Sequence, residues 1–394
     1  MKISIDKKEA LEKLIQWYKN EKKPQCITLG GYAGTGKTTL ISVFRSAIKS
    51  IDPEINVGFI SYTGKATRIL KNKLQEMGVL FPKDSISTIH SLIYSPIVNS
   101  KNEIIGWDRR EDIDKDLLII DEASMVSEDI WIDLISYKKP IFAVGDHGQL
   151  PPIGEKFNLM EKPNLTLTQI HRQISDNPII QVAQIARETG AIPFGKYGEK
   201  VQKLDKTSWE TQEIITQLLE NYDEDTIILC GYNNTRVKIN TQIRRFLGYE
   251  TSYPEHGDRV ICLRNNQARG IFNGMLGQIV NIEPLNENWY HAKIDMEDGF
   301  TFVGPISKAQ FNSSQPINFT ENRRDTLDGD LFDFGYAMTV HKAQGSQAKR
   351  VILFEERFKQ MNDEKWRRWL YTGVTRAEEE LYIVGEGGKE TKYE

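Results

Sequence analysis

The chain has 394 residues, 39% of them hydrophobic and 27% charged, with a net charge of −4. That length predicts two or three domains, and the globular composition holds nothing near the ~18 uninterrupted apolar residues of a membrane span. A net negative charge excludes a histone-like or purely electrostatic nucleic-acid binder, so any DNA or RNA contact has to be local.

In chain order, a strand at 27–30 opens into Gly31-Tyr32-Ala33-Gly34-Thr35-Gly36-Lys37-Thr38, and a helix follows from Thr39 to Ile48. This strand–loop–helix context is what a GxxxxGK[ST] phosphate loop requires: backbone N–H groups around phosphate oxygens, Lys37 toward the β- and γ-phosphates, Thr38 toward Mg²⁺. The positive end of the helix faces the same anion. A strand at 57–62 and a helix with Ala66, Ile69, Leu70, Leu74 and Met77 on one face come next. Aliphatic runs at 117–120 and 141–144 complete a parallel sheet covered on both faces, with ligand sites at its carboxyl ends. Between the helix near Ser91 and the strand at Leu117, short runs around 99–102 predict a projecting hairpin.

The pattern then restarts, with a helix at 178–188, a strand at 226–230, a helix carrying Val237, Ile239, Ile243 and Phe246, and later strands at 351–354 and 381–384. This predicts a second α/β core. Residues 254–332 change character: short alternating runs separated by Asn273-Gly274 and Asp298-Gly299 turns predict an inserted antiparallel β-barrel. The tail from 387 is polar and Gly-rich and is expected to be flexible. Cys26, Cys230 and Cys262 are odd in number and lack CxxC spacing, so they read as buried thiols. Charges interrupt the first eight residues, so no secretory signal is read there and a cytoplasmic location is expected, the host cytoplasm for a phage-encoded chain.

Just past the strand at 117–120, Asp121-Glu122 places two carboxylates where P-loop NTPases hold Mg²⁺ and activate water. Asp121 is expected to hold the metal and Glu122 to deprotonate the attacking water. No Asn-Lys-x-Asp guanine reader exists to suggest a GTPase. Two arginines in the second core, Arg172 and Arg376, are candidates for stabilising charge at the γ-phosphate, although composition alone makes each a solvated surface residue.

Eight segments taken together resemble, in order, the helicase motifs of superfamily 1. They are the loop 31–38, Thr63-Gly64-Lys65-Ala66, Thr88-Ile89-His90-Ser91, Asp121-Glu122-Ala123-Ser124, Gly145-Asp146-His147-Gly148-Gln149-Leu150-Pro151-Pro152, His171-Arg172-Gln173, Thr339-Val340-His341-Lys342-Ala343-Gln344-Gly345-Ser346 and Val374-Thr375-Arg376-Ala377. Gln149-Leu150-Pro151-Pro152 and His341-Lys342-Ala343-Gln344-Gly345 are similar to the RecD-like branch of subclass B, and the compact size is similar to the Dda-like phage helicases.

The resemblance implies two RecA-like P-loop cores, the first at 1–92 and 115–164, the second at 165–253 and 333–386. It also implies a strand-separating hairpin at 93–114 and an SH3-like insertion at 254–332. Gly31, Gly34, Thr35, Gly36, Lys37, Thr38, Thr39, Gln344 and Gly345 would bind nucleotide in the cleft between cores. Thr38 and Asp121 would hold Mg²⁺. Glu122, Gln149, Arg172 and Arg376 would act in catalysis. Thr63, Lys65, Thr88, His90, Thr339, His341 and Lys342 would line single-stranded DNA, which suits hydroxyls, a lysine and imidazoles touching a backbone without base readout. Local alternatives remain: Thr88 as a helix N-cap, His90 and His341 as satisfied loop histidines, Lys65 on a solvated face.

One departure concerns Lys7, which stands where RecD-like helicases usually carry an adenine-reading glutamine. Lysine has donors and no acceptor, so it cannot make the paired contacts. Trp366 and Trp369 suit either base stacking or, by their spacing, a buried helix face. The implied activity is ATP-driven 5′-to-3′ movement on single strands with unwinding of forked duplexes, alongside single-strand-binding or replisome proteins and as a monomer. Alternatives are a translocase that strips proteins without unwinding, and a DNA-stimulated ATPase module of a larger replication complex.

Overall fold

A computed structural model describes residues 4–98, 104–151, 157–169, 176–264, 266, 269–271, 273–297, 299–315 and 329–386, with side chains left out at 65, 96, 98 and 104–107. The chain divides into two compact units, residues 1–95 with 108–181, and residues 96–107 with 182–394.

The first unit runs α1 (Ile5–Lys19), β1 (Cys26–Gly31), α2 (Lys37–Ile51), β2 (Val57–Ser61), α3 (Gly64–Glu76), β3 (Ser85–Thr88) and α4 (Ile89–Ile93). The two-stranded sheet of β4 (Tyr94–Val98) and β5 (Ile104–Arg109) interrupts it; the turn of this expected hairpin lies outside the described residues. β6 (Leu117–Asp121), α5 (Glu128–Ser136), β7 (Ile141–Gly145) and β8 (Leu165–Leu167) follow. Its six-stranded sheet has the order β3-β2-β6-β7-β1-β8 and is parallel throughout. β2 and β7 are buried along their whole length because helices or loops cover both faces. On α2, Leu40, Ile41, Phe44 and Ile48 fall at helical spacing and are all buried; Phe44 meets Phe142 edge-on at 5.3 Å. Phe44→Ala would cost ~3–5 kcal/mol. β8 pairs with β1, Leu29 opposite Leu165, and so corrects the domain boundary expected at 164. Hydrogen bonding at a sheet edge, which short runs in sequence do not reveal, decides its membership.

The second unit contains most of α6 (Pro178–Thr189), then β9 (Gly195–Gly198), β10 (Val201–Asp205), α7 (Trp209–Glu220), β11 (Thr226–Cys230) and α8 (Asn233–Phe246). An antiparallel sheet interposes β12 (Arg259–Cys262), β13 (Leu276–Pro284), β14 (Trp289–Met296), β15 (Thr301–Ser307) and β16 (Phe332–Phe334), before β17 (Ala337–Thr339), β18 (Ala348–Phe354), α9 (Asp363–Val374) and β19 (Ala377–Gly385). The core sheet has the order β17-β11-β18-β19-β10-β9 and the inserted sheet β15-β14-β13-β12-β16. β14 alternates buried and exposed residues, the period of a sheet with one wet face. A bridge between Ile306 and Asp330, just before β16, ties the two edges of that sheet together. Buried ion pairs fix the insertion to its core: Arg236 on Asp333 at 2.7 Å and Arg244 on Asp258 at 2.8 Å, the latter shared with the Tyr336 hydroxyl.

Trp366 and Trp369 stack at 5.2 Å, both buried, and Trp366 Nε1 donates to the Gly190 carbonyl, as a buried helix face requires. Burial pushes the thiols of Cys26 and Cys262 up to about 12, and that of Cys230 up as well; no cysteine forms a disulfide. Among the described residues no helix is long and apolar enough to cross a membrane.

Candidate functional site

The loop from Gly31 to Lys37 leaves β1 and enters α2 through glycines in the left-handed region, Gly34 at φ 80° and Gly36 at φ 79°. A side chain at Gly31 would strike the Thr35 hydroxyl at 2.6 Å, so glycine is required for the loop to close on itself. Thr35 is fully buried and its hydroxyl donates to the Tyr32 carbonyl at 2.8 Å, a role in shaping the loop. Lys37 Nζ donates to the carbonyls of Gly31 at 2.8 Å and Tyr32 at 3.2 Å, and stands 4.0 Å from Asp146. The helix begins at Lys37, two residues earlier than the periodicity predicts, so Thr38 and Thr39 lie in its first turn.

Parallel pairing delivers the other acidic residues to the same edge, because β6, β7 and β1 are neighbours and all end there. Asp121 closes β6, and its carboxyl is pushed up to about 6, chiefly by burial and then by Glu122, with Lys37 opposing. Glu122 adopts φ 56°, ψ 39°, an uncommon conformation for a residue with a side chain; its N–H donates to Asp121 Oδ1, and its buried Oε2 has no partner among the described residues. Past β7, Asp146 accepts the Gly148 N–H at 2.9 Å, and buried Gln149 keeps an Oε1 without a partner among the described residues. His147 packs on Tyr32 of the phosphate loop at 4.3 Å between ring centroids. In the sequence Asp146 carries only the signal of a strand-terminal carboxylate, without an assigned role; the adjacency of β7 to β1 puts it beside Lys37.

At the other side of this sheet, Thr63 caps α3, accepting from the Ala66 N–H at 3.2 Å, and Thr88 caps α4, accepting from the Ser91 N–H at 3.1 Å. The local N-cap alternative is thus the observed one for Thr88. Lys65 falls in the first turn of α3, with its side chain outside the described residues. His90 lies between Tyr62 and Tyr94, and burial pushes its pKa down to about 3, so it carries no charge at neutral pH. Lys7 is buried on α1 and donates to the Ser4 hydroxyl at 2.9 Å; burial lowers its pKa while Asp6 opposes. Asp6 accepts the N–H groups of Thr168 and Gln169, so the first turn of α1 is tied to the segment after β8.

In the second unit, Thr339 ends β17, and His341 and Lys342 follow it. Burial lowers the pKa of His341 and brings that of Lys342 down to about 8; Lys342 Nζ donates to Asn273 Oδ1 of the inserted sheet, a partner without a sequence signal. Gln344 is buried and Gly345 has φ 71°. Arg376 is also buried: Nε donates to the Thr372 carbonyl at 3.1 Å and Nη1 to that of Ser346 at 3.2 Å, which joins the segment 344–346 to the end of α9. Arg172 lies outside the described residues. The junction of β11 with α8, which by strand order corresponds to that of β2 with α3 in the first sheet, is filled by Glu356: its carboxylate accepts from Gly231 N, Tyr232 N and Thr235 Oγ1. Its negative charge opposes a second anion at that helix end.

Residues 16–155 match the family model described as an AAA domain, and residues 334–384 that of the UvrD-like helicase C-terminal domain. The chain is 25% identical over 393 residues to the ATP-dependent RecD2 DNA helicase of Deinococcus radiodurans, covering 91% of itself and 47% of that protein. It is 25% identical over 449 residues to the RecBCD enzyme subunit RecD of Buchnera aphidicola, covering 91% of itself and 70% of the relative. It thus spans about half the length of the RecD2 protein. Among solved structures, Pif1 helicase from Bacteroides in complex with ADP-AlF3 and single-stranded DNA is 19% identical, with a TM-score of 0.48 over 97% of this chain and 92% of that one. By the ordered motifs, the two domain matches and the RecD relatives along nine-tenths of its length, the chain is similar to the RecD-like helicases of superfamily 1.

Proposed function

We propose that the chain is an ATP-dependent DNA helicase. The observation that carries this reading is the meeting of the phosphate loop, Asp121-Glu122 and Asp146–Gln149 at adjacent carboxyl ends of one parallel sheet. The fit to a nucleotide with Mg²⁺ is chemical: a closed glycine loop at a helix N-terminus for phosphate, and the hard oxygens of Thr38 and Asp121 for the metal. Bound Mg²⁺ supplies neutralisation of charge on the β- and γ-phosphate oxygens. Lys37 exchanges its loop carbonyls for phosphate oxygens. The unpartnered Oε2 of Glu122 takes a proton from water and the unpartnered Oε1 of Gln149 orients that water. Arg172 and Arg376 stabilise transition-state charge. Thr63, Lys65, Thr88, His90, Thr339, His341 and Lys342 follow a single strand, His90 through packing and not through charge.

DNA is the favoured polymer because the RecD2 relative is named a DNA helicase, and movement is taken to run 5′ to 3′. Strand displacement on 5′-tailed, 3′-tailed, forked and blunt duplexes tests substrate and polarity together. Unwinding from the 5′ tail and the fork is expected; unwinding from a 3′ tail alone would overturn the polarity. A second reading, a strand-stimulated ATPase working inside a larger complex, is favoured by the RecD relative being named an enzyme subunit. ATPase stimulated by single strands, with no duplex unwound, would select it.

A further inference from the structure

The second unit holds a cavity of about 520 Å³ that the helicase motifs leave unused, where the antiparallel sheet meets its α/β core. Three tyrosines wall it, Tyr222, Tyr249 and Tyr336. Tyr222 and Tyr336 meet edge-on at 5.5 Å; the hydroxyl of Tyr336 donates to buried Asp258, and that of Tyr222 accepts from Arg259. Two of the rings are therefore held in place before any ligand arrives.

Among the described residues four carboxylates line the same cavity, Asp223, Glu224, Asp295 and Glu297, against one cation, Arg259. Arg259 Nη2 donates to Glu297 at 2.7 Å, so that pair cancels. Asp223 is 3.6 Å from Arg350, a partial offset, and Glu224 and Asp295 are exposed carboxylates that no cation in the cavity neutralises. An anionic cavity repels a phosphate backbone, which separates it from any DNA path. Aromatic faces with carboxylates attract a guanidinium or ammonium group. Leu247, which lines the cavity, is 46% exposed, and Phe246, its chain neighbour at the end of α8, is 39% exposed. A small polycation leaves that apolar surface wet, whereas a peptide covers it.

We propose that this cavity docks a basic segment of a partner protein: an arginine or lysine side chain enters beside the tyrosines and carboxylates, and a neighbouring apolar residue covers Leu247 and Phe246. The proposal does not rest on the helicase reading.

The test uses the full chain and a fluorescent peptide of alternating arginine and leucine, followed by anisotropy. Glu224→Lys with Asp295→Lys should weaken binding roughly tenfold or more. Glu12→Lys with Glu21→Lys, exposed positions in the first unit with the same change of net charge, should leave it nearly unchanged. Equal loss in both double variants, or loss in neither, overturns the site. Displacement of the peptide by spermidine at equal concentration overturns the protein-segment assignment. If the lysine variant melts early, Glu224→Gln with Asp295→Asn carries the same comparison.

Discussion

Lys37 Nζ lies 4.0 Å from Asp146 Oδ2 while donating to the carbonyls of Gly31 and Tyr32, so the loop lysine is held by its own loop and by the strand next door. Asp146 is almost fully buried and keeps its geometry through the Gly148 N–H. An arriving polyphosphate has to draw Lys37 from these acceptors, and a charge-assisted contact to phosphate is strong enough to do so.

Lys37→Ala should therefore lower ATP turnover by ~10²-fold or more, the scale of losing one electrostatic donor at a developing charge. Hydrolysis at the parent rate would remove the loop from the proposed site. Phosphate release in the presence of single strands is the measurement.

Glu122→Gln keeps the side chain's size and removes its basicity. Nucleotide binding should persist while turnover falls ~10²- to 10⁴-fold. Equal loss of binding, read by fluorescent-nucleotide titration, would mean that the strained backbone of Glu122 matters more than its carboxylate.

The carboxyl of Asp121 is raised to about 6 by burial and by Glu122. A raised folded-state pKa means that the fold prefers the protonated acid, so stability declines as pH climbs from about 4, the unfolded value, through about 6. Asp121→Asn should melt above the parent at pH 7 without nucleotide, and the difference should vanish below pH 4. Thermal melts across that range check it, and a difference independent of pH would place the effect elsewhere.

Arg376→Ala should abolish hydrolysis and also lower stability, because the carbonyls of Thr372 and Ser346 lose buried donors at about 1–3 kcal/mol each. Arg376→Lys should restore more of the melting temperature than of the activity. Parallel recovery of both would assign the residue to structure alone.

Burial brings the ammonium of Lys342 down to about 8, so its charge fades between pH 7 and 9, well below an ordinary lysine. Single-strand affinity should fall across that interval in the parent and stay flat in Lys342→Arg, whose guanidinium does not titrate there. Asn273→Ala removes the amide oxygen that Lys342 now donates to and should change the affinity with Lys342 present but not with Lys342→Ala. Anisotropy with a labelled oligonucleotide reads all five proteins, the double variant included.

Much of the architecture was legible because its signals are local. Gly34 and Gly36 advertise positive φ, the runs at β2, β6 and β7 advertise a doubly covered sheet, and the alternation in β14 advertises an antiparallel insertion. β8, β9 and β10 were not legible, being short runs whose identity as strands comes from the neighbours that bond them. Thr88 was legible as an N-cap, since the cap needs only the residue three positions on.

By itself the sequence determined which groups this protein brings to chemistry: one phosphate loop, a strand-terminal pair of carboxylates, and helicase motifs in family order. Tertiary structure alone decided which of them meet. Asp146 reaches Lys37 because β7 pairs with β1, and Lys342 reaches Asn273 because the inserted sheet folds back on its core. It also decided which groups keep their charge, since the burial that silences His90 and softens Lys342 is set by chain segments distant in sequence. Local pattern encodes backbone shape; adjacency and dielectric environment come from the packing of the whole chain.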